Sequence, residues 1–434
     1  MANGANFQSD SYVVWNSEPL ATTYVSSTEL QAQVPAVDLA KPDTAEVSVV
    51  TPAPGTEESG VIVFTIQPTP PAASGGTNLS AVDIQANDMV WDPNSQQIYI
   101  SVPSSNGANG NAVTALNPVN GQLGISRDAG SEPDMIALAK DSSYLYVGID
   151  GSGSVQRFTM PNLGTDVNVP LGTDPILGKP YYAMDVETAP GSPHTIAVVR
   201  GILNDSPAEE GGVVIYDDAT PRPTFVPGFA QSGNPIGSIQ WGSDATHIYA
   251  ENDESSGFNL DVLAVSASGV QIAETYPGLF SVFGAKLHYD AATGYLYSDG
   301  GQVVDPSTGA LLGSFALSSI MLSNDVIVMV PDGNLGIAYF LGQTPAQKDT
   351  PDYTIEAFDL ARFTPINSIA ISNVAGTPVK LIRWGSNGLA FLTKDIINTP
   401  GGNIFIEGSG VYLISGAFVT NPAMQGRRTA PATQ

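Results

Sequence analysis

The stretch PIGSIQWGSDATHIYA, residues 235–250, decides the fold. Ile239 and Trp241 alternate with polar neighbours, a turn occupies 242–246, and Ile248 opens a second apolar run, which together predict a β-hairpin. The second half of the pattern recurs as QIYISV, YLYVGI, TIAVVR, HIYAEN, YLYSDG, GIAYFL and GLAFLT. Its second position is always Ile or Leu: Ile98, Leu145, Ile196, Ile248, Leu296, Ile337 and Leu389. The spacings run from 41 to 52 residues, the length of one four-stranded propeller blade. Tandem immunoglobulin-like domains would need about 100 residues per unit. Seven copies therefore predict a seven-bladed β-propeller within an all-β chain.

Composition agrees with short strands and many turns. The 434 residues include 45 Gly and 33 Pro, and no long helical periodicity is visible. The length exceeds what a single core usually supports. The formal charge is −27, and no Lys/Arg run is long enough to track a phosphate backbone, so nucleic acid is not an expected partner. With no cysteine, disulfides, thiolate nucleophiles and Cys-based zinc sites are excluded. No 18-residue apolar run predicts a membrane span, and MANGANFQSD lacks the basic and apolar regions of a signal peptide.

Residues 1–67 read as sandwich strands at Tyr12–Asn16, Leu30–Val34, Ala45–Val50 and Val61–Ile66. Within them Trp15-Asn16, Leu20, Thr23, Val25-Ser26-Ser27-Thr28, Leu30, Val34-Pro35 and the Pro52–Gly55 turn resemble the IPT/TIG family of immunoglobulin-like domains. That family begins with a further strand, so the resemblance implies a sandwich lacking its first strand. Residues 68–78, PTPPAASGGTN, read as a linker. The propeller is expected over 79–420, with a flexible tail over 421–434. Its last blade supplies three strands of its own, and Leu79–Ala86 is expected to close the ring as the fourth.

The segments SSYLYVGIDGSGSVQRF and GYLYSDGGQVVDPSTGALLGSF, with the Trp-Gly-Ser turns at 241 and 384, are similar to YVTN/lactonase-like propeller repeats of secreted bacterial proteins. The resemblance implies an extracellular or periplasmic location. It leaves the chemistry open, since such folds carry binding, structural and enzymatic members.

Residues at the starts of inner strands face the channel mouth. Alignment of the hairpins places Asn87, Asp88, Glu132, Asp134, Tyr181, Tyr182, Lys286, His288, Lys380 and Arg383 there. Asn87, Asp88, Glu132 and Asp134 offer oxygens to Ca²⁺ or another divalent cation, against which stands a water-filled tunnel lined by ion pairs. Tyr181, Tyr182, Lys286, Lys380 and Arg383 are the candidate binding residues. His194 and His247 precede second strands and read as turn residues, leaving His288 as the one candidate general base. No G-x-S-x-G elbow occurs. The acidic segments at 150–154 and 252–261 match no complete EF-hand loop.

Two readings of function follow. The first is an extracellular binding or scaffold module presenting loops to a small molecule, glycan or protein. The second is a hydrolase of esters, lactones or phosphoesters at the channel mouth, with a metal or His288 activating water.

Overall fold

Alternation of apolar and polar residues, interrupted by Asx-type turns, builds nearly all the secondary structure. The computed structural model describes residues 1–39, 43–52, 57–66, 72–73, 76–203, 211–252, 257–317, 327–343, 353–386, 388–398 and 404–420. The chain divides into two compact units, 1–70 and 71–434.

In the second unit the described residues form seven antiparallel sheets. The first contains Asp88–Asp92, Gln97–Val102, Ala112–Asn117 and Gln122–Asp128, paired in chain order. The same order repeats over 133–170, 182–221, 238–276, 287–314 and 327–372. In the last sheet, Thr377–Trp384, Gly388–Asn398 and Ile404–Ser415 are joined by Asn78–Val82 as the outer strand. Leu79 lies opposite Ile414, and Val82 opposite Val411. Closure by a strand from before the first sheet is thus the observed topology, with the strand at Asn78–Val82 rather than over the expected Leu79–Ala86.

The first strands of successive sheets contact one another in sequence, and Thr377–Trp384 returns to Asp88–Asp92. Val82, Met89, Ile98 and Ile100 share one apolar cluster with Trp384, Leu392 and Val411, so the two ends of the chain segment are joined by core packing as well as by hydrogen bonds. The arrangement is a β-propeller. The recurring Ile/Leu positions all lie on second strands. Six of them are fully buried and Ile337 is 8% exposed, worth roughly 1.5–3 kcal/mol each in transfer terms.

The turn chemistry also repeats. Asn117 accepts Gly121 N–H through its carbonyl at 2.8 Å, and its side chain accepts Val119 N–H at 2.9 Å. Asp305 does the same for Gly309 and Ser307, each at 2.9 Å. Gly121 and Gly309 have φ of 71° and 66°, the left-handed region that a residue without Cβ enters most easily.

Residues 68–78 do not act only as a linker, because Ala72–Ala73 pairs with Ile371 and Ser372 as a fifth strand of the 327–372 sheet. The remaining linker residues 68–71, 74 and 75 lie outside the described residues, as do the tail 421–434 and most of the Pro52–Gly55 turn. So do residues 204–210, 253–256, 344–352 and 399–403.

In the first unit a three-stranded sheet of Ala2–Asn3, Glu29–Ala32 and Thr22–Ser26 accompanies a five-stranded sheet. The latter contains Tyr12–Trp15, Glu18–Pro19, Asp43–Thr51, Glu57–Glu58 and Ile62–Ile66. Trp15 and Ala45 are buried among Leu20, Val34 and Val47. No helix among the described residues is long and apolar enough to cross a membrane.

Candidate functional site in the central channel

The innermost strand of each sheet is an edge, and the N–H groups along its open side lack a partner strand. Acidic side chains supply the missing acceptors across sheet boundaries. Asp88 Oδ2 accepts Ile136 N–H at 3.0 Å, Asp185 Oδ2 accepts Ile239 N–H at 2.9 Å, and Asp299 Oδ1 accepts Met329 N–H at 2.9 Å. Ser238 Oγ and Gln240 Oε1 do the same for Leu287 and Tyr289 N–H, each at 3.4 Å. Much of the channel's acidity therefore binds sheet to sheet.

The basic side chains complete these bonds. Lys380 donates to Asp88 Oδ1 at 2.5 Å, joining the last sheet to the first. His288 Nε2 lies 2.9 Å from Asp299 Oδ1, the oxygen that also receives Met329 N–H. Lys394 Nζ stands 3.7 Å from Asp134 Oδ1. Between them is a cavity of about 350 Å³, whose walls include Asp88, Asp185, Glu187, Asp299, Lys286, Lys380 and Lys394. Met135, Met184, Met329, Val379 and Leu381 form apolar parts of the same wall.

Burial dominates the titration of this region. It raises Asp134 and Asp185 above the usual carboxylate range, against the opposing pull of Lys394 and Lys286 respectively. Glu187 is pushed up to about 8 by burial and then by the charge of Asp185. Asp150 also reaches about 8, through burial and the charge of Asp134. Oδ1 atoms of both Asp134 and Asp150 are buried without a hydrogen bond.

Of the ten residues expected at the channel, Asn87, Asp88, Lys286, His288 and Lys380 line the cavity. Glu132 turns instead to Ser104, whose N–H it accepts at 3.3 Å and whose hydroxyl it also binds. Asn87 donates to Pro133 O at 2.9 Å. Asp88, Glu132 and Asp134 do not converge: among the described residues no three His, Asp or Glu side chains are grouped to hold a metal ion. Within the expected Asn87, Asp88, Glu132 and Asp134 set, Lys380 engages Asp88 and Ser104 engages Glu132.

Tyr181 belongs to a separate pocket, where its hydroxyl donates to Asp174 at 2.9 Å and Arg200 lies 4.5 Å over its ring. Tyr182 begins the inner strand outside the cavity wall. Arg383 points to Asp332 at 3.0 Å, with its guanidinium 5.4 Å from the Tyr339 ring. His194 bonds Asp218 at 2.9 Å, and His247 bonds Thr246 at 2.8 Å.

Asp185, Glu187, Asp299 and Lys394 were not among the expected channel residues. The first two sit in YYAMDVET, further along the strand that starts at Tyr182, and a register shift falls between Ala183 and Asp185. Asp299 follows a second strand and folds back to accept Lys286 N–H at 3.1 Å, a tertiary relation with no periodic signal.

No known protein family and no curated protein matches the sequence. Solved structures do. The β-propeller domain of Cps50 (Swd1) from Myceliophteria thermophila matches with a TM-score of 0.53 at 10% identity, over 78% of this chain and 99% of that one. A chain of the mitotic checkpoint complex matches with a TM-score of 0.50 at 10% identity, over 78% and 93%. At this identity the likeness establishes the fold alone, a β-propeller.

Proposed function

We propose that this chain is a non-catalytic binding or scaffold module, in which a seven-bladed propeller and an IPT/TIG-like sandwich present loops to a protein or glycan partner outside the cell. The observation that carries this reading is the use of Asp88, Asp185 and Asp299 as acceptors for the backbone of the next sheet. Carboxylates held in that way support a rigid frame, and binding on such frames resides in the loops. The resemblance to YVTN repeats and to IPT/TIG domains supports the extracellular setting. The test is a glycan array probed with the full chain, together with a panel of ester, lactone and phosphotriester substrates with and without chelator. Saturable binding without turnover is the expected result.

One observation favours a hydrolase as the second reading. The contact between His288 and Asp299 at 2.9 Å orients an imidazole beside the cavity, as a general base requires. Turnover that survives chelation and is lost in His288→Gln would establish that reading.

A further inference from the structure

Beyond any partner held by the loops, the channel has the form of a small-molecule site. Its volume of about 350 Å³ falls within the range of ligand pockets, and such pockets join apolar walls to a few directed polar groups. Two partly exposed methionines, Met135 and Met184, line it from different sheets. Thioether side chains adapt to apolar ligands of irregular shape.

The charges decide what polar group the ligand carries. Lys380 is bound to Asp88, Lys394 faces Asp134, and Lys286 offsets the charge of Asp185. Asp299 holds His288 and two backbone N–H groups. Glu187 remains. Its Oε1 accepts Gln240 Nε2 at 2.7 Å, and no hydrogen bond to its second oxygen is made among the described residues. We propose that the channel binds a small organic ammonium compound, its apolar body against the methionine wall and its cationic head on Glu187.

The groups acting on Glu187 are Asp185 on its own strand, Gln240 on the next sheet, and Lys380 and Lys140. Lys286 and His288 share the cavity. Glu187 ionises only near pH 8, so a cation must displace its proton. Affinity rises by close to tenfold per pH unit on the acid side and levels off above about pH 8.

The test is titration calorimetry of the full chain with n-hexylammonium, hexanoate and hexan-1-ol at several pH values. The expected result is binding of hexylammonium to one site with that pH dependence, and weaker binding of the other two. Glu187→Gln, which imitates the protonated side chain, is expected to weaken hexylammonium at least about tenfold at alkaline pH and to flatten the profile. Val379→Phe fills the cavity while keeping its charges, and is also expected to abolish binding. Absence of hexylammonium binding to the parent, equal or tighter binding of hexanoate, a pH-independent affinity, or unchanged binding in both variants would overturn the proposal.

Discussion

Asp88 joins three sheets: Oδ2 accepts Ile136 N–H from the following sheet, and Oδ1 accepts Lys380 Nζ from the last one. One side chain thus serves a backbone bond and the ion pair that closes the ring. Its side chain is only 6% exposed, while Lys380 is 37% exposed, so the energetic weight falls on the carboxylate. Asp88→Ala leaves Ile136 N–H and Lys380 without their acceptor, and is expected to cost about 1–3 kcal/mol or more in urea unfolding. Lys380→Met is expected to cost less, because the backbone bond to Ile136 survives.

Strand closure gives a second prediction. Deletion of residues 1–70 leaves Ala72–Ala73 and Asn78–Val82 in place, whereas deletion of 1–86 removes both. The longer deletion exposes the outer edge of Ile404–Ser415 and is expected to melt far lower than the shorter one. Equal melting temperatures would contradict the closure.

Leu145 and Leu296 test the repeat register. Both are fully buried, and Leu145→Ala or Leu296→Ala is expected to destabilise by roughly 2–5 kcal/mol. Losses below about 0.5 kcal/mol at both positions would place them at the surface.

The raised carboxyls predict the sign of a pH effect. Asp150 and Glu187 move from ordinary values of 3.8 and 4.5 to about 8 in the folded chain. Between those limits the folded state holds protons that the unfolded state releases, so their contribution is present at acid pH and is lost as pH rises toward about 8. Melting temperatures of the parent are therefore expected to decline from about pH 5 to 8 more steeply than those of an Asp150→Asn/Glu187→Gln variant. Parallel profiles would contradict the assignment.

The repeat was legible because a buried Ile or Leu recurs on each second strand, from Ile98 to Leu389, and because Asn117 and Asp305 announce their turns. Closure was legible from strand arithmetic. The channel was legible only in part. His288 and Lys380 follow from their positions on inner strands and Lys286 from its place just before one, but Asp299 reaches the channel through a loop, and Lys394 projects in from a second strand. Asp185 and Glu187 were hidden by a one-residue irregularity that shifts which side chains face inward. Ala72–Ala73 carries no strand pattern of its own and is recruited by the edge at Ile371.

Whether channel carboxylates act as hydrogen-bond acceptors between sheets is read from amide hydrogen exchange at Ile136. An N–H on the open edge of an inner strand exchanges quickly unless it is held. Slow exchange at Ile136 in the parent, lost in Asp88→Ala while amides of the outer strand Gln122–Asp128 keep their rates, is the predicted result; exchange at Ile136 that is fast in the parent, or unchanged by the substitution, would contradict it.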